Sequence, residues 1–240
     1  MPRSLSPEQV AAYERDGVFF PARVLTDAEV AWFRSRFAAA AAGQEKAQPI
    51  RQPHLSLAWA YALATHPAVV DAAEDVLGPE VLLHSTIIFY KRPSDPGYVS
   101  WHQDGLYATL RAPRLTSAWI ALSDSTVENG CMRVIPGSHR QGILPHVESP
   151  TGDNLLKHGQ AVEGVDESQA RDVVLAAGEM SLHHGDIVHG SNPNRSATER
   201  IGFIVRFVTP EVRAANHPLV RVRGGVDCSH LEMLAGPPQE

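Results

Sequence analysis

Hydrophobic residues in the first part of the chain recur at the spacing of helices. The segment SPEQ at 6–9 combines an N-cap serine, a proline at the first helical position and a capping-box glutamine, and Gly17 ends the helix that follows. The same capping pattern occurs at 26–29, before a second set of apolar residues at helical spacing. Shorter helices are predicted over 55–64 and 68–77.

From residue 81 onward the pattern changes to short runs rich in β-branched and aromatic residues, which is typical of strands. Strands are predicted over 81–90, 99–104, 116–122, 132–135, 172–175, 180–184, 187–189 and 201–208. Turn sequences such as ENG at 128–130 and SNPN at 191–194 separate them. Many short strands at this spacing predict a β-sandwich or barrel. Residues 141–171 lack periodicity, as functional lids often do.

The 240 residues suit one domain, 1–240, of mainly β structure with flanking helices. Its helical part covers about 1–80 and its β core about 81–225. A net charge of −6 without a basic cluster argues against nucleic-acid and membrane-surface partners. Cys131 and Cys228 form no disulfide framework. Neither a signal peptide nor an apolar run of membrane-spanning length is present, so we expect a reduced, cytoplasmic compartment.

Candidate metal ligands occur in two segments. Within a strand, His102 and Asp104 would point to the same face and could bind one ion together, and this pair of ligand types suits a borderline divalent metal such as Fe(II). The segment from 180 to 200 offers His183, His184 and His189 as the third ligand, and spacing alone does not choose among them. Two histidines and one carboxylate would leave three coordination positions open.

Arg200 suggests what fills the open positions. It lies eleven residues after His189, at the start of the predicted strand 201–208, and can point into the same cavity. A guanidinium has paired donors that match a carboxylate, so it suits a dicarboxylic keto acid whose other end chelates the metal. Ser191 could add a hydroxyl donor.

Several motifs together resemble the phytanoyl-CoA dioxygenase-like family of Fe(II)/2-oxoglutarate oxygenases, over about residues 5–225. They are DGVFF at 16–20, VLGPEVL at 76–82, HQD at 102–104, SAWIALSDST at 117–126, ENGCMRVIPGSH at 128–139 and HGSNPNRSATER at 189–200. The resemblance implies a double-stranded β-helix, or jelly roll, packed against helices. It also implies Fe(II), with 2-oxoglutarate and dioxygen as cosubstrates.

Carried over residue by residue, the resemblance makes His102, Asp104 and His189 the catalytic metal ligands. It also implies that Arg200 and Ser191 bind the distal carboxylate of 2-oxoglutarate. Further cosubstrate contacts are expected from Trp119 and Lys91, and substrate contacts from Gln103 and Tyr107. Arg206 shares the face of Arg200 by period-two counting and could also contact substrate, with a salt bridge at the barrel rim as the alternative.

The expected reaction is hydroxylation of a small metabolite or biosynthetic intermediate. Halogenating relatives have a small residue where this chain has Asp104, which argues against halogenation. A cupin-like metal enzyme without 2-oxoglutarate and a non-catalytic metal- or metabolite-binding relative are the alternatives. At least one of the adjacent His183 and His184 is expected to be structural. The substrate and the oligomeric state are left open by the sequence.

Overall fold

The structure, a computed structural model, describes residues 4–42, 48–107, 114–149, 152–156, 160–213 and 215–239. The helices are α1 (Pro7–Asp16), α2 (Asp27–Ala40), α3 (Ala58–Ala64) and α4 (Pro67–Leu77). The strands are β1 (Val18–Arg23), β2 (Ile50–Arg51), β3 (Val81–Lys91), β4 (Val99–His102), β5 (Leu115–Ala121), β6 (Met132–Val134), β7 (His146–Glu148), β8 (Gln160–Val162), β9 (Arg171–Val173), β10 (Glu179–His184), β11 (His189–Ser191), β12 (Arg200–Val208) and β13 (Val220–Arg223).

The first two helices begin where their capping sequences predict. The side chains of Ser6 and Thr26 each accept a hydrogen bond from the backbone N–H three residues later. In turn, the side chains of Gln9 and Glu29 accept a hydrogen bond from the backbone N–H of the cap residue. Such a cap stabilises a helix by about 1 kcal/mol. Gly17 ends α1 with a φ of 74°, a left-handed conformation that glycine adopts without strain.

Two antiparallel sheets form the β core. The larger sheet has the strand order β1-β10-β5-β12-β3-β13, with β2 also paired to β3. The smaller sheet has the order β4-β11-β6-β9, and β7 pairs with β8. The prediction of a mainly β fold with helices at its side is therefore confirmed.

Strand β12 lies between β5 and β3 and presents two different faces. One face packs against the helices in the main hydrophobic core, through Ile201, Phe203, Val205 and Phe207. The other face points between the two sheets and carries Arg200, Gly202, Ile204 and Arg206. Because successive side chains of a strand alternate in direction, one apolar stripe anchors the sheet while the opposite stripe is available for chemistry.

Three local differences from the sequence prediction bear on the site. The region predicted as helical contains β1, which forms an edge of the larger sheet. The predicted strand 99–104 ends at His102, and Asp104 begins a short 3-10 helix, Asp104–Tyr107. The third difference is at 187–189, where the strand instead spans His189–Ser191.

No helix within the described ranges is long and apolar enough to cross a membrane.

Candidate metal and cosubstrate site

His102 and His189 come together because β4 pairs with β11. They are register partners across these antiparallel strands, and their ring centroids lie 4.1 Å apart. Asp104 joins them from the 3-10 helix, whose Gly105 donates its N–H to the carbonyl of Gly185 at 2.7 Å. A Cβ on Gly105 would lie 2.1 Å from a carboxylate oxygen of Asp186, so a larger residue at this position would displace the Asp186 side chain.

The ligand atoms of His102, Asp104 and His189 lie within 4.8 Å of one another, and all three residues are buried. The Nδ1 of His102 lies 2.9 Å from the carbonyl of Ser100, and that of His189 lies 3.0 Å from the carbonyl of Ile187. A carbonyl only accepts, so Nδ1 carries the proton and Nε2 has its lone pair available for a metal. Burial, and then the neighbouring His102, hold the pKa of His189 well below its usual range, so this ring is neutral.

Asp104 is held as a carboxylate by its neighbours. Ser117 Oγ donates to its Oδ2 at 2.8 Å, and Arg206 Nη2 donates to its Oδ1 at 2.6 Å. Burial alone would raise the pKa of Asp104, but Arg206 and the imidazoles of His102 and His183 outweigh it and hold this pKa well below its usual range. Two imidazoles and one ionised carboxylate form a donor set that fits Fe(II).

Arg200 lies at the other end of the cavity-facing stripe of β12. It is 2% exposed, its Nη1 donates to the carbonyl of Gly130 at 2.6 Å, and its guanidinium stacks over Trp119 at 5.3 Å. Burial lowers the pKa of Arg200 to about 10, so it is still a cation at neutral pH. Its buried Nε has no hydrogen-bond partner. A buried cation with an unused donor is a site prepared for an anion.

Lys91 is the register partner of Arg200 on β3 and holds the neighbouring loop. Its Nζ donates to Ser191 Oγ at 2.8 Å and to the carbonyl of Asn192. Burial, and then the charge of Arg200, lower the pKa of Lys91 to about 5. Lys91 does not line the cavity, whereas Ser191, Arg200 and Trp119 do. The structure therefore places Lys91 behind Ser191, whose hydroxyl it orients.

This low pKa gives a stability prediction for Lys91→Met in the metal-free protein. Unfolded wild type takes up a proton on Lys91 that the folded state lacks, so between pH 6 and pH 9 its unfolding free energy gains up to about 1.4 kcal/mol per pH unit from this group. Lys91→Met is expected to lose that slope. Urea unfolding at several pH values measures it, and equal slopes for the two proteins would mean that Lys91 stays protonated inside the fold.

The cavity between the sheets brings most of the predicted residues together. About 400 Å³ of empty space lies among its lining residues, including the solvent at its mouth. Polar groups concentrate at its metal and arginine positions, and an apolar wall lies between them. The lining residues are Phe89, Val99, His102, Asp104, Trp119, Met132, His183, His189, Gly190, Ser191, Arg200, Ile204 and Arg206.

Gln103, a predicted substrate residue, does not line the cavity. Gln103 is fully buried, and its side-chain amide donates to the carbonyls of Gly142 and Asp186 and accepts from the N–H of Leu144. These bonds use its donors and an acceptor to hold two loops, so Gln103 shapes the wall behind Asp104. The side chain of Tyr107 lies outside the described residues.

Sequence reasoning missed Ser117 and left His183 without a role. Ser117 bonds to the metal ligand Asp104, and His183 lines the cavity with its Nε2 3.6 Å from Asp104 Oδ2. The signal for Ser117 was present, because period-two alternation in SAWIAL places it on the same face as Trp119. His184 instead points away from the cavity, and its Nδ1 accepts from the N–H of Asp186.

Comparison with known proteins gives a consistent set of relatives. The model of the family described as phytanoyl-CoA dioxygenase (PhyH) matches residues 13–202. A probable alpha-ketoglutarate-dependent hypophosphite dioxygenase of Stutzerimonas stutzeri is 28% identical, over 70% of this chain and 60% of its own length. A phytanoyl-CoA dioxygenase of Arabidopsis thaliana is 34% identical, over 53% of this chain and 44% of its own length. The chain thus spans about half the length of the curated relatives it matches.

Among solved structures, the non-heme monooxygenase ThoJ in its apo form has 31% sequence identity and a TM-score of 0.79. The similarity covers 96% of this chain and 88% of ThoJ. ThoJ has also been solved as a nickel complex, which aligns with a TM-score of 0.75. The whole architecture described above therefore has a close counterpart in a non-heme oxygenase.

Proposed function

Because the chain belongs to the phytanoyl-CoA dioxygenase family, we propose that it is an Fe(II)- and 2-oxoglutarate-dependent dioxygenase. Its reaction would be hydroxylation of an unactivated C–H bond in a small metabolite or biosynthetic intermediate. One observation carries the proposal: two imidazoles and an ionised carboxylate face the same cavity as a buried guanidinium with an unused donor.

Each of these side chains has a defined task in the proposed reaction. His102, Asp104 and His189 would hold the metal and leave open positions for a chelating cosubstrate and dioxygen. Bound Fe(II) with 2-oxoglutarate supplies the oxidising chemistry. Arg200 and Ser191 would hold the distal carboxylate of 2-oxoglutarate, with Lys91 fixing the hydroxyl of Ser191.

The apolar wall supports an oxidative reaction because it keeps water away from the reacting carbon. Trp119 covers Arg200 on one side, and Phe89 and Ile204 line the space between the arginine and the metal ligands. Gly202 permits this packing, since a Cβ at that position would lie 2.1 Å from the ring of Trp119. Dry surroundings also strengthen the attraction between Arg200 and a carboxylate.

The alternative of a metal enzyme that does not use 2-oxoglutarate leaves Arg200 unexplained. A buried, partly unpartnered guanidinium lowers stability unless an anion binds to it. In a cupin-like site that needs only the metal, no anion would bind Arg200 and offset this loss of stability. The carboxylate of Asp104, in turn, supports hydroxylation over halogenation.

The test is anaerobic titration of the apo protein with Fe(II) and 2-oxoglutarate. We expect a weak visible charge-transfer band of the iron–keto acid chelate in wild type, and no band in His189→Ala. Succinate release on addition of oxygen and substrate then reports turnover. If iron binds and no band forms, 2-oxoglutarate is not the cosubstrate and the metal-only alternative takes its place.

A further inference from the structure

A row of polar residues crosses the larger sheet beside the metal ligands, at the end of the cavity opposite Arg200. Ser85 on β3 and Ser117 on β5 are both register partners of Arg206 on β12, and Ser117 is also the register partner of His183 on β10. We call Ser85, Arg206, Ser117 and His183 the Arg206 row. It lies six residues along β12 from Arg200, a distance of about 20 Å between Cα atoms.

The Arg206 row has hydrogen-bonding capacity that the protein itself does not use. Ser117 donates to Asp104, and Arg206 reaches the same carboxylate through Nη2. The buried Oγ of Ser85, the Nε of Arg206 and the Nδ1 of His183 have no hydrogen-bond partner, and the Nε2 of His183 faces Asp104 Oδ2 at 3.6 Å, beyond hydrogen-bond distance. His183 is 1% exposed and lines the cavity, as does Arg206. Buried polar groups in native proteins are nearly always paired, so these atoms indicate a missing polar ligand.

Donors dominate among these unused groups. A guanidinium N–H can only donate, and a hydroxyl and an imidazole can each donate one proton. Each oxygen of Asp104 already accepts one of these donors, from Ser117 and from Arg206, and the Nε of Arg206 is left without an acceptor. The ligand that fits the row therefore brings acceptor oxygens.

The charges in the cavity loaded with metal and 2-oxoglutarate indicate the sign of the charge that this ligand carries. A divalent metal, the carboxylate of Asp104 and dianionic 2-oxoglutarate sum to one negative charge, which Arg200 balances. Lys91 adds no charge while its pKa is near 5. Burial, then His217 and Arg206, also lower the pKa of nearby His84, to about 3, so this ring stays neutral. Arg206 pairs with Asp104, but it adds one more positive charge, so the described groups of the loaded cavity sum to one positive charge that has no balancing anion.

We propose that the Arg206 row is the substrate subsite, and that it binds the oxyanion group, a carboxylate or a phosphorus oxyanion, of a small acidic substrate. This rests on the proposed function. Arg206 keeps its Nη2 on Asp104 and offers its free Nε edge to the substrate, while Ser85 and His183 donate from either side. The same residues would exclude an uncharged amide or ester, because such a group cannot balance the positive charge of the Arg206 guanidinium.

The test uses the protein loaded with Ni(II) and 2-oxoglutarate, a catalytically silent complex. Isothermal titration measures binding of amino and hydroxy acids, each paired with its primary amide, and of alkylphosphonates, each paired with its dimethyl ester. We expect a subset of the acids to bind, and their neutral partners to bind at least about tenfold more weakly. The carboxylate and phosphonate arms tell the two oxyanion sources apart.

Variants of the row then locate the binding. Arg206→Gln is expected to weaken the bound acids about thirtyfold, with partial rescue in Arg206→Lys. Ser85→Ala is expected to weaken them about fivefold, as for one ordinary hydrogen bond. Ser85 does not touch Asp104, so this variant gives an answer even if Arg206→Gln fails to fold.

Two results overturn the subsite. One is loaded wild type that binds no acid, or binds the neutral partners equally well. The other is acid binding that survives in both Arg206→Gln and Ser85→Ala, which would make Arg206 only a partner of Asp104. Failure of the proposed function has a different signature, because the wild-type protein would then bind metal without 2-oxoglutarate whether or not acids bind.

Discussion

Replacing Asp104 with alanine is expected to abolish 2-oxoglutarate consumption and to weaken divalent-metal binding more than about a hundredfold. Loss of a mere outer partner of a metal ligand typically costs about 10–100-fold, and Asp104 is the only carboxylate among the ligand atoms gathered in the described part of the chain. The change also leaves Arg206 facing two imidazoles, so the pocket becomes electropositive and repels a cation. Calorimetric titration with Fe(II) or Co(II) measures the affinity, and succinate release measures turnover.

The same substitution is expected to destabilise the metal-free protein by about 3 kcal/mol, because the largely buried guanidinium of Arg206 loses its counter-charge. Asp104→Asn is the matched control, since it keeps the shape and removes the charge. Asp104 has a folded pKa below its unfolded value, so its contribution is fully present above about pH 4 and is lost as pH falls through the folded pKa. Metal affinity unchanged in both variants would show that another group is the third ligand.

Replacing Arg200 with glutamine is expected to raise the Kd of 2-oxoglutarate about a hundredfold and to leave metal affinity unchanged. A charge-assisted hydrogen bond to a carboxylate contributes about 1.5–3 kcal/mol, and glutamine can replace neither the charge nor the paired geometry. Arg200 does not touch any of the three metal ligands, so the two effects separate. Titrating the charge-transfer band with 2-oxoglutarate at saturating Fe(II) gives the affinity.

Two further variants sharpen the interpretation for Arg200. Arg200→Lys keeps the positive charge but loses the paired donors of the guanidinium, so an intermediate affinity for 2-oxoglutarate is expected. Arg34→Gln removes a surface guanidinium that pairs with Glu199, and it should bind 2-oxoglutarate as wild type does. Wild-type affinity in Arg200→Gln would instead mean that a group other than Arg200 holds the distal carboxylate.

Features encoded by a few adjacent residues were predictable from the sequence. The capping boxes at Ser6 and Thr26 specify helix starts through bonds that span three residues, and the structure has both. The run rich in β-branched and aromatic residues at 201–208 likewise predicted β12 to within one residue. Such elements depend little on the rest of the chain, so local chemistry is sufficient to place them.

Features that depend on distant pairing were not predictable in the same way. Strand β1 is short, and it exists because it pairs with β10 at the edge of the sheet, more than 150 residues away in the chain. Gln103 was expected to face the substrate, but its amide bonds to the carbonyls of Gly142 and Asp186, which only the folded loops bring within reach. Asp104 reaches its place by a 3-10 turn, where the alternation argument used for a strand does not apply.

The placement of both arginines on one strand has a consequence for regiochemistry. β12 is hydrogen-bonded to β3 on one side and to β5 on the other, so the sheet fixes the distance between Arg200 and Arg206. Arg206 touches the ligand Asp104 directly, and an acid group bound there lies next to the reacting centre. The carbon that is oxidised should then be the α- or β-carbon of that acid, while the far end of a long chain would extend away from the metal and remain unmodified.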